Sequence, residues 1–227
     1  MKNKGWIIFF IVVLFANLIA VYLGNEILRY VTKPLLMPLL VIYFVSAVKF
    51  FSSSLKKWIT LALVFSWLGD VLLIFDEAGE IFFIAGLVAF LWAHIWYIFF
   101  FQAITKNENI GSKTLLVLPG LFLLGILIDV LDPSSLGVLK WPVEIYGVIL
   151  MTMLTGALHM GYIKKKWFGL LIISGALLFV ISDSMLALNK FYKPFEYAGV
   201  LIMLTYGIAQ LLITIGAVRY ITSTSKQ

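Results

Sequence analysis

Residues 57–76 read KWITLALVFSWLGDVLLIFD and decide the fold class of this chain. Twenty helical residues rise ~30 Å, which is the thickness of a membrane hydrocarbon core. Asp70 is the one charged residue well inside this apolar run. Seven more segments have a similar length and character, so the sequence predicts eight transmembrane helices. The limits of the other seven are 5–24, 34–51, 80–103, 114–131, 141–163, 167–188 and 196–219.

The composition of the whole chain agrees with a membrane protein. Hydrophobic residues make up 63% and charged residues 12%, with a mean hydropathy of +1.07. Soluble domains carry about a quarter charged residues, so this chain lacks the polar surface to face water. The apolar stretch after Lys2 and Lys4 is longer than the roughly 7–15 residues of a signal peptide core. We therefore predict an all-α, polytopic integral membrane bundle, with residues 1–227 as one transmembrane domain and the first helix retained.

The basic residues predict the orientation in the membrane. Twelve of the 17 Lys and Arg residues fall on one side of the eight predicted helices and five on the other. The positive-inside rule places the richer side, with both termini, in the cytoplasm, and the inner membrane is the expected location if the source is bacterial. The net charge of +6 then indicates anionic lipid headgroups as partners, not nucleic acid. The richer side includes Lys164, Lys165, Lys166 and Lys226; the outer loops hold Asp76, Glu77, Glu80, Asp129 and Asp132.

An internal repeat is suggested by shifting the chain by 113 positions. Asp70 then aligns with Asp183, Leu73 with Leu186 and Gly86 with Gly199. Helices three and four would correspond to seven and eight in the same orientation. This pattern predicts a possible four-plus-four parallel repeat whose axis lies along the membrane normal.

Two carboxylates lie well inside predicted spans, Asp70 and Asp183. A charge there costs about 2.5–3.5 kcal/mol on insertion scales, so such residues are candidates for function. Their depths, estimated from the helical rise, predict that they share one layer toward the outer half of the bundle. They are either structural groups satisfied by neighbouring hydroxyls or the acidic pair of a catalytic site, and two such residues in one small bundle favour the second.

Other polar residues extend the candidate site. His94 and Tyr97 lie three apart on helix four and therefore face similar directions, as Tyr206 and Gln210, four apart, do on helix eight. Lys33 precedes Pro34 at the expected start of helix two, where it either snorkels to the interface or meets a lipid phosphate. The chain has no cysteine and no histidine spacing typical of zinc sites, so no metal or other cofactor is expected.

Three segments resemble the YhhN-like membrane family, which includes the lysoplasmalogenases. They are LGDVLL at 68–73, FLWAHIWY at 90–97 and GALLFVISDSMLALN at 175–189. The entry to helix two at Thr32-Lys33-Pro34 and the pair Tyr206 and Gln210 are also similar to the family's pattern. The resemblance covers nearly the whole chain. It implies a hydrolase that cleaves the vinyl ether bond of a lysophospholipid, lysoplasmalogen, to a fatty aldehyde and a glycerophospho-base.

The candidate residues suit this chemistry. One aspartate would donate a proton to carbon, and the other would stabilise the resulting cation and orient water, although the sequence does not say which does which. The paired aspartates fit a proton-coupled transporter too, and a structural protein is the third alternative. The expected catalytic residues are Asp70, Asp183, His94 and Tyr97; the expected substrate-binding residues are Lys33, Ser182, Tyr206 and Gln210.

Overall fold

The computed structural model describes residues 2–130 and 136–224. Over these residues the chain is helical and contains no strand, which confirms the all-α prediction. Asp132, Lys226 and the last position of the fifth predicted span, residue 131, lie outside the described residues. The helices are α1 (Lys2–Tyr22), α2 (Glu26–Val48), α3 (Leu55–Leu72), α4 (Glu80–Asn107), α5 (Leu118–Val130), α6 (Lys140–Leu158), α7 (Lys166–Phe191) and α8 (Ala198–Thr224).

Seven of these described helices are long and apolar enough to cross a membrane, and α5 is the exception. The sequence predicts a full span over 114–131, but the chain forms a four-residue 3₁₀ turn and then 13 α-helical residues. Pro119 explains this start, because it has no amide hydrogen to offer the carbonyl of Leu115. The amide of Leu118 bonds that carbonyl instead, in the tighter 3₁₀ pattern. The prediction of eight helices is therefore confirmed, and over the described residues seven of them are long enough to cross a membrane.

The start of α2 is also wrong in the sequence prediction, which places it at Lys33-Pro34. The helix begins at Glu26, where the side chain of Asn25 accepts a hydrogen bond from the Leu28 amide at 3.0 Å. Pro34 lies inside the helix, and Lys33 is buried, with 7% exposure, instead of snorkelling. Asparagine at a helix N-cap satisfies a free amide, and this cap outweighs the proline signal nine residues later.

A hydrogen bond from α3 accommodates the second proline of α2. In an α-helix the carbonyl of Pro34 bonds the amide of residue 38, but Pro38 has no amide hydrogen. The indole Nε1–H of Trp67 donates to that carbonyl at 3.0 Å. Lipid offers no water to satisfy an exposed carbonyl, so this contact lets the helix continue through the proline.

The chain divides into two compact units, Met1–Phe100 with Thr214–Gln227 and Phe101–Ile213. In the first unit α1 packs on α2 and α2 packs on α3; in the second, α5 packs on α6 and α6 packs on α7. The prediction that residues 1–227 form one domain, the cytoplasmic placement of both termini and the four-plus-four repeat all stay predictions.

The distribution of side chains is that of a protein in lipid. Large apolar residues face outward, such as Phe15 at 60% exposure and Phe122 at 70%. Polar residues such as Asp70, His94 and Gln210 are buried. Together with the seven long apolar helices, this pattern defines an integral, multi-pass α-helical membrane protein.

Candidate functional site

Asp70 lies in the first unit, two residues before α3 ends at Leu72. Its side chain is buried, with 1% exposure, as predicted from its position inside the apolar run. The preceding residue must be small, because a Cβ on Gly69 would stand 2.6 Å from ring carbons of Phe90 on α4. The Gly-Asp pair therefore combines a close approach of α3 to α4 with a buried carboxyl group.

Lys33 is the cation that interacts with this carboxyl group. Charge interactions link the Lys33 ammonium to Asp70, to Asp76 and, unfavourably, to Arg29. A buried ammonium needs a nearby anion, because the loss of hydration costs several kcal/mol for each ion. Asp70 is the stronger of the two anionic partners of Lys33. The first unit thus contains a buried pair of opposite charges, on α2 and α3.

His94 and Tyr97 are both fully buried on α4. Gly86, Phe90 and Phe101 are buried as well and, with Tyr97, form a stripe at helical spacing along α4. The corresponding stripe on α8 is buried at Met203, Tyr206, Gln210 and Thr214, whereas Gly199 is exposed in the first turn of that helix.

Asp183 lies in the second unit, on α7, and is hydrogen-bonded to a residue that sequence reasoning missed. The phenol of Tyr146, on α6, donates to Oδ2 of Asp183 at 2.6 Å. A signal for this pair was present, because α6 and α7 form an antiparallel hairpin around Lys164 and Lys165. Tyr146 lies 18 positions before Lys164 and Asp183 lies 18 positions after Lys165. Residues equally distant from a tight turn reach the same depth in a helical hairpin.

Ser182 faces α8. Its hydroxyl donates to the backbone carbonyl of Ile202 at 3.0 Å. One helical turn earlier, the ring of Phe179 packs edge-on against Tyr206, with centroids 5.5 Å apart. A further turn earlier, a Cβ on Gly175 would stand 2.8 Å from a backbone oxygen of α8. Residues 175, 179 and 182 therefore form the face along which α7 packs closely on α8.

The two predicted residues on α8 are both buried. Tyr206 is 3% exposed and Gln210 is fully buried. They lie one turn apart, so they share a face of α8, and the contact of Tyr206 with Phe179 directs that face toward α7. The second unit thus places Asp183, Ser182 and Tyr206 on adjoining parts of α7 and α8. The prediction that Asp70 and Asp183 share one polar layer stays a prediction.

The fold and these side chains define a class of protein, a polytopic α-helical membrane protein with carboxyl groups held inside its helices. The chain belongs to the YhhN family, whose model matches residues 28–217. This result confirms the family that the sequence motifs indicate. All eight predicted site residues, and Tyr146, lie within the matched range.

Curated relatives agree with the family. Human lysoplasmalogenase TMEM86B is 38% identical over 159 residues, which cover 70% of this chain and 62% of that protein. Human lysoplasmalogenase TMEM86A is 34% identical over 163 residues, covering 70% and 65%. The bovine lysoplasmalogenase TMEM86A has the same identity and coverage. The match thus spans less than two thirds of each relative. No solved structure matches this chain.

Proposed function

We propose that this protein is a membrane-embedded lipid hydrolase of the lysoplasmalogenase type, with a lysophospholipid as its substrate. One observation carries the proposal: two human proteins named lysoplasmalogenase are 34–38% identical to this chain across 70% of its length. The carboxyl groups of Asp70, which is buried, and of Asp183, which is half-buried, lie inside the matched range and supply the kind of chemistry that such a hydrolase needs.

Hydrolysis of a vinyl ether begins when a proton is delivered to carbon. The double-bond electrons form the new C–H bond at the second carbon of the alkenyl chain, which leaves an oxocarbenium ion at the first. Water adds to this cation and loses a proton. The resulting hemiacetal breaks its bond to the glycerol oxygen, which takes a proton, and a fatty aldehyde is released. One water molecule is consumed, and no oxidant or reductant takes part.

Asp70 and Asp183 are assigned the two proton transfers. A protonated carboxyl group is the donor to carbon, and an ionised carboxylate stabilises the cation and accepts the proton of the attacking water. Glycosidases divide these roles between two carboxyl groups around a related cation. His94 and Tyr97 are assigned to proton relay, and Tyr206 and Gln210 to polar contacts with the lipid. For Ser182, which bonds α8, a substrate contact stays a prediction.

Lys33 is assigned to the headgroup phosphate. Its ammonium is buried and interacts with the charge of Asp70. A phosphate bound at Lys33 supplies a further anion for that ammonium. Asp70 then accepts a proton without leaving the lysine charge unbalanced, so binding of the headgroup prepares the acid. This coupling makes a charged phosphate part of the requirement for turnover.

The decisive experiment is a digest of defined lyso-lipids by the purified protein in proteoliposomes, followed by mass spectrometry. Lysoplasmenylethanolamine should yield a fatty aldehyde and glycerophosphoethanolamine, while the saturated alkyl-ether analogue and the acyl ester should remain intact. In D₂O, with rapid borohydride reduction, one deuterium should appear at the second carbon of the product. Intact lyso-lipid after full incubation would refute the proposal, and movement of unchanged lipid or protons across the vesicle would support a transporter.

Substitution of the carboxyl groups tests the assigned roles. Asp70→Asn and Asp183→Asn should each lower kcat by about 10²- to 10⁴-fold, the usual contribution of one acid or base. The double variant should lose little more than the worse single variant, because residues that act in one reaction are not additive. Turnover that survives in both single variants would remove these assignments, provided that both proteins elute as monodisperse species.

A further inference from the structure

The hydrogen bond between Tyr146 and Asp183 has the length of a charged contact. The phenol oxygen lies 2.6 Å from Oδ2 of Asp183. Hydrogen bonds from a hydroxyl to an ionised oxygen are ~2.5–2.7 Å long, whereas neutral ones centre near 2.7–2.8 Å. Carboxyl groups inside membrane helices pair with polar groups of neighbouring helices, and the phenol of Tyr146 is such a partner for Asp183. The contact is therefore suited to hold Asp183 as a carboxylate.

A contact made by the preceding residue, Ser182, also restricts the orientation of Asp183. Ser182 and Asp183 are consecutive residues, so their side chains diverge by about 100° around α7. Ser182 bonds the Ile202 carbonyl on α8, and Asp183 bonds Tyr146 on α6. Rotation of α7 that would turn the carboxylate away from Tyr146 also breaks the contact with α8. Contacts of two consecutive residues with two neighbouring helices thus fix α7 in the orientation that keeps the carboxylate against Tyr146.

We propose that Tyr146 is the positioning residue that holds Asp183 as the ionised carboxylate of the hydrolase. Asp183 then stabilises the oxocarbenium ion and accepts the proton of the attacking water, and Asp70 is the acid. This assignment rests on the proposed function. Tyr146 does not itself transfer the proton to carbon, because its O–H is directed at the carboxylate. Its removal therefore affects the chemical step more than the binding of lipid.

The test is Tyr146→Phe, which keeps the ring and removes the hydrogen-bond donor. We expect kcat to fall by about ten- to hundredfold, part of the contribution of a general base, while KM stays within twofold. The acidic limb of the kcat/KM profile against pH should be displaced, since that limb reports the base of the free enzyme. In the Asp183→Asn background the same substitution should have no further effect on kcat. Tyr192→Phe is the control, because Tyr192 is 66% exposed and directly follows α7, the helix of Asp183. This substitution should leave all the measured values unchanged.

An infrared measurement separates this inference from the hydrolase proposal. The difference spectrum of wild type minus Asp183→Asn should show an ionised carboxylate band at neutral pH, and Tyr146→Phe should change that band. A protonated carboxyl band in the wild type would overturn the inference, whether or not the protein hydrolyses lipid. So would a pH profile of Tyr146→Phe that superimposes on the wild type. If no lyso-lipid is cleaved but the carboxylate band depends on Tyr146, the hydrolase proposal fails. The inference that Tyr146 holds Asp183 as a carboxylate is then still supported.

Discussion

Removal of the Trp67 indole should reveal how α2 continues through Pro38. Trp67 donates to the carbonyl of Pro34, whose intrahelical partner is missing because residue 38 is proline. Trp67→Phe keeps an aromatic ring but leaves that carbonyl without a donor. Pro38→Ala supplies the missing amide inside the same helix. The two substitutions should therefore compensate for each other.

The expected magnitude follows from the contact. A hydrogen bond of 3.0 Å is well formed, and a polar acceptor left unsatisfied where no water reaches it costs about 1–3 kcal/mol. Side-chain hydrogen bonds measured inside membranes average about 0.6 kcal/mol and reach about 1.7. We therefore expect Trp67→Phe to lower the free energy of unfolding by about 1–2 kcal/mol in the wild type, and by at least about 1 kcal/mol less in the Pro38→Ala background.

The assay is reversible unfolding in mixed micelles of the two single variants, the double variant and the wild type, followed by circular dichroism. Trp92→Phe is the control for ring size, because Trp92 is 43% exposed, close to the 37% of Trp67. It should show no coupling to Pro38→Ala. Distant sites add within about 0.3–0.5 kcal/mol, so a coupling energy below this value would refute the compensation.

Three further predictions concern the second unit. Gly175→Ala should lower the free energy of unfolding by about 1–3 kcal/mol, because its methyl group would meet a backbone oxygen of α8. Gly125→Ala is the comparison, because open space surrounds that position, and it should stabilise α5 by about 0.5–1 kcal/mol in the same denaturation assay. Ser182→Ala should cost about 0.5–1.5 kcal/mol through the lost contact with α8; a rise in KM beyond twofold would support the predicted substrate contact of the hydroxyl, and an unchanged KM would contradict it. His159→Phe removes the side-chain nitrogen that accepts the hydrogen bond of the Lys113 amide. Hydrogen–deuterium exchange of that amide should therefore accelerate about tenfold or more, and an unchanged exchange rate would contradict the contact.

Hydropathy predicted most of this fold because lipid imposes one simple constraint. Every backbone group must be satisfied within its own helix, so a long apolar run identifies a span. The exceptions occur where another group satisfies the backbone. Pro34 marked a helix start only under the assumption that α2 does not continue through a proline. The helix does continue, and at its second proline, Pro38, the indole of Trp67 supplies the donor that the carbonyl of Pro34 would otherwise lack. Pro119 acted in the opposite way and shortened α5, where the preceding turn winds as a 3₁₀ helix.

Part of the candidate site was also predictable from the constraint that lipid imposes on polar groups. Charges inside apolar runs are rare, so Asp70 and Asp183 were visible from the sequence alone. Tyr146 was missed because a tyrosine in a membrane helix is usually an interfacial residue, and its pairing with Asp183 becomes evident only when positions are counted from the turn between α6 and α7. Likewise, the sequence placed Lys33 at the membrane surface, and only the early cap at Asn25 shows that it lies within a helix.

The two aspartates occupy equivalent positions in the predicted repeat but have different partners. Asp70 interacts with the ammonium of Lys33, and Asp183 accepts the phenol of Tyr146. A phosphate bound beside the ammonium competes with Asp70 for that positive charge, whereas the partner of Asp183 is a neutral phenol that carries no charge to attract the phosphate. Binding of a lysophospholipid should therefore change the charge interaction between Asp70 and Lys33, while the hydrogen bond of Asp183 with Tyr146 stays unchanged. Two carboxyl groups in matching places can then take opposite roles, as acid–base chemistry requires. Lys33→Met should accordingly lower kcat as well as raise KM, whereas a change in KM alone would reduce Lys33 to a binding residue.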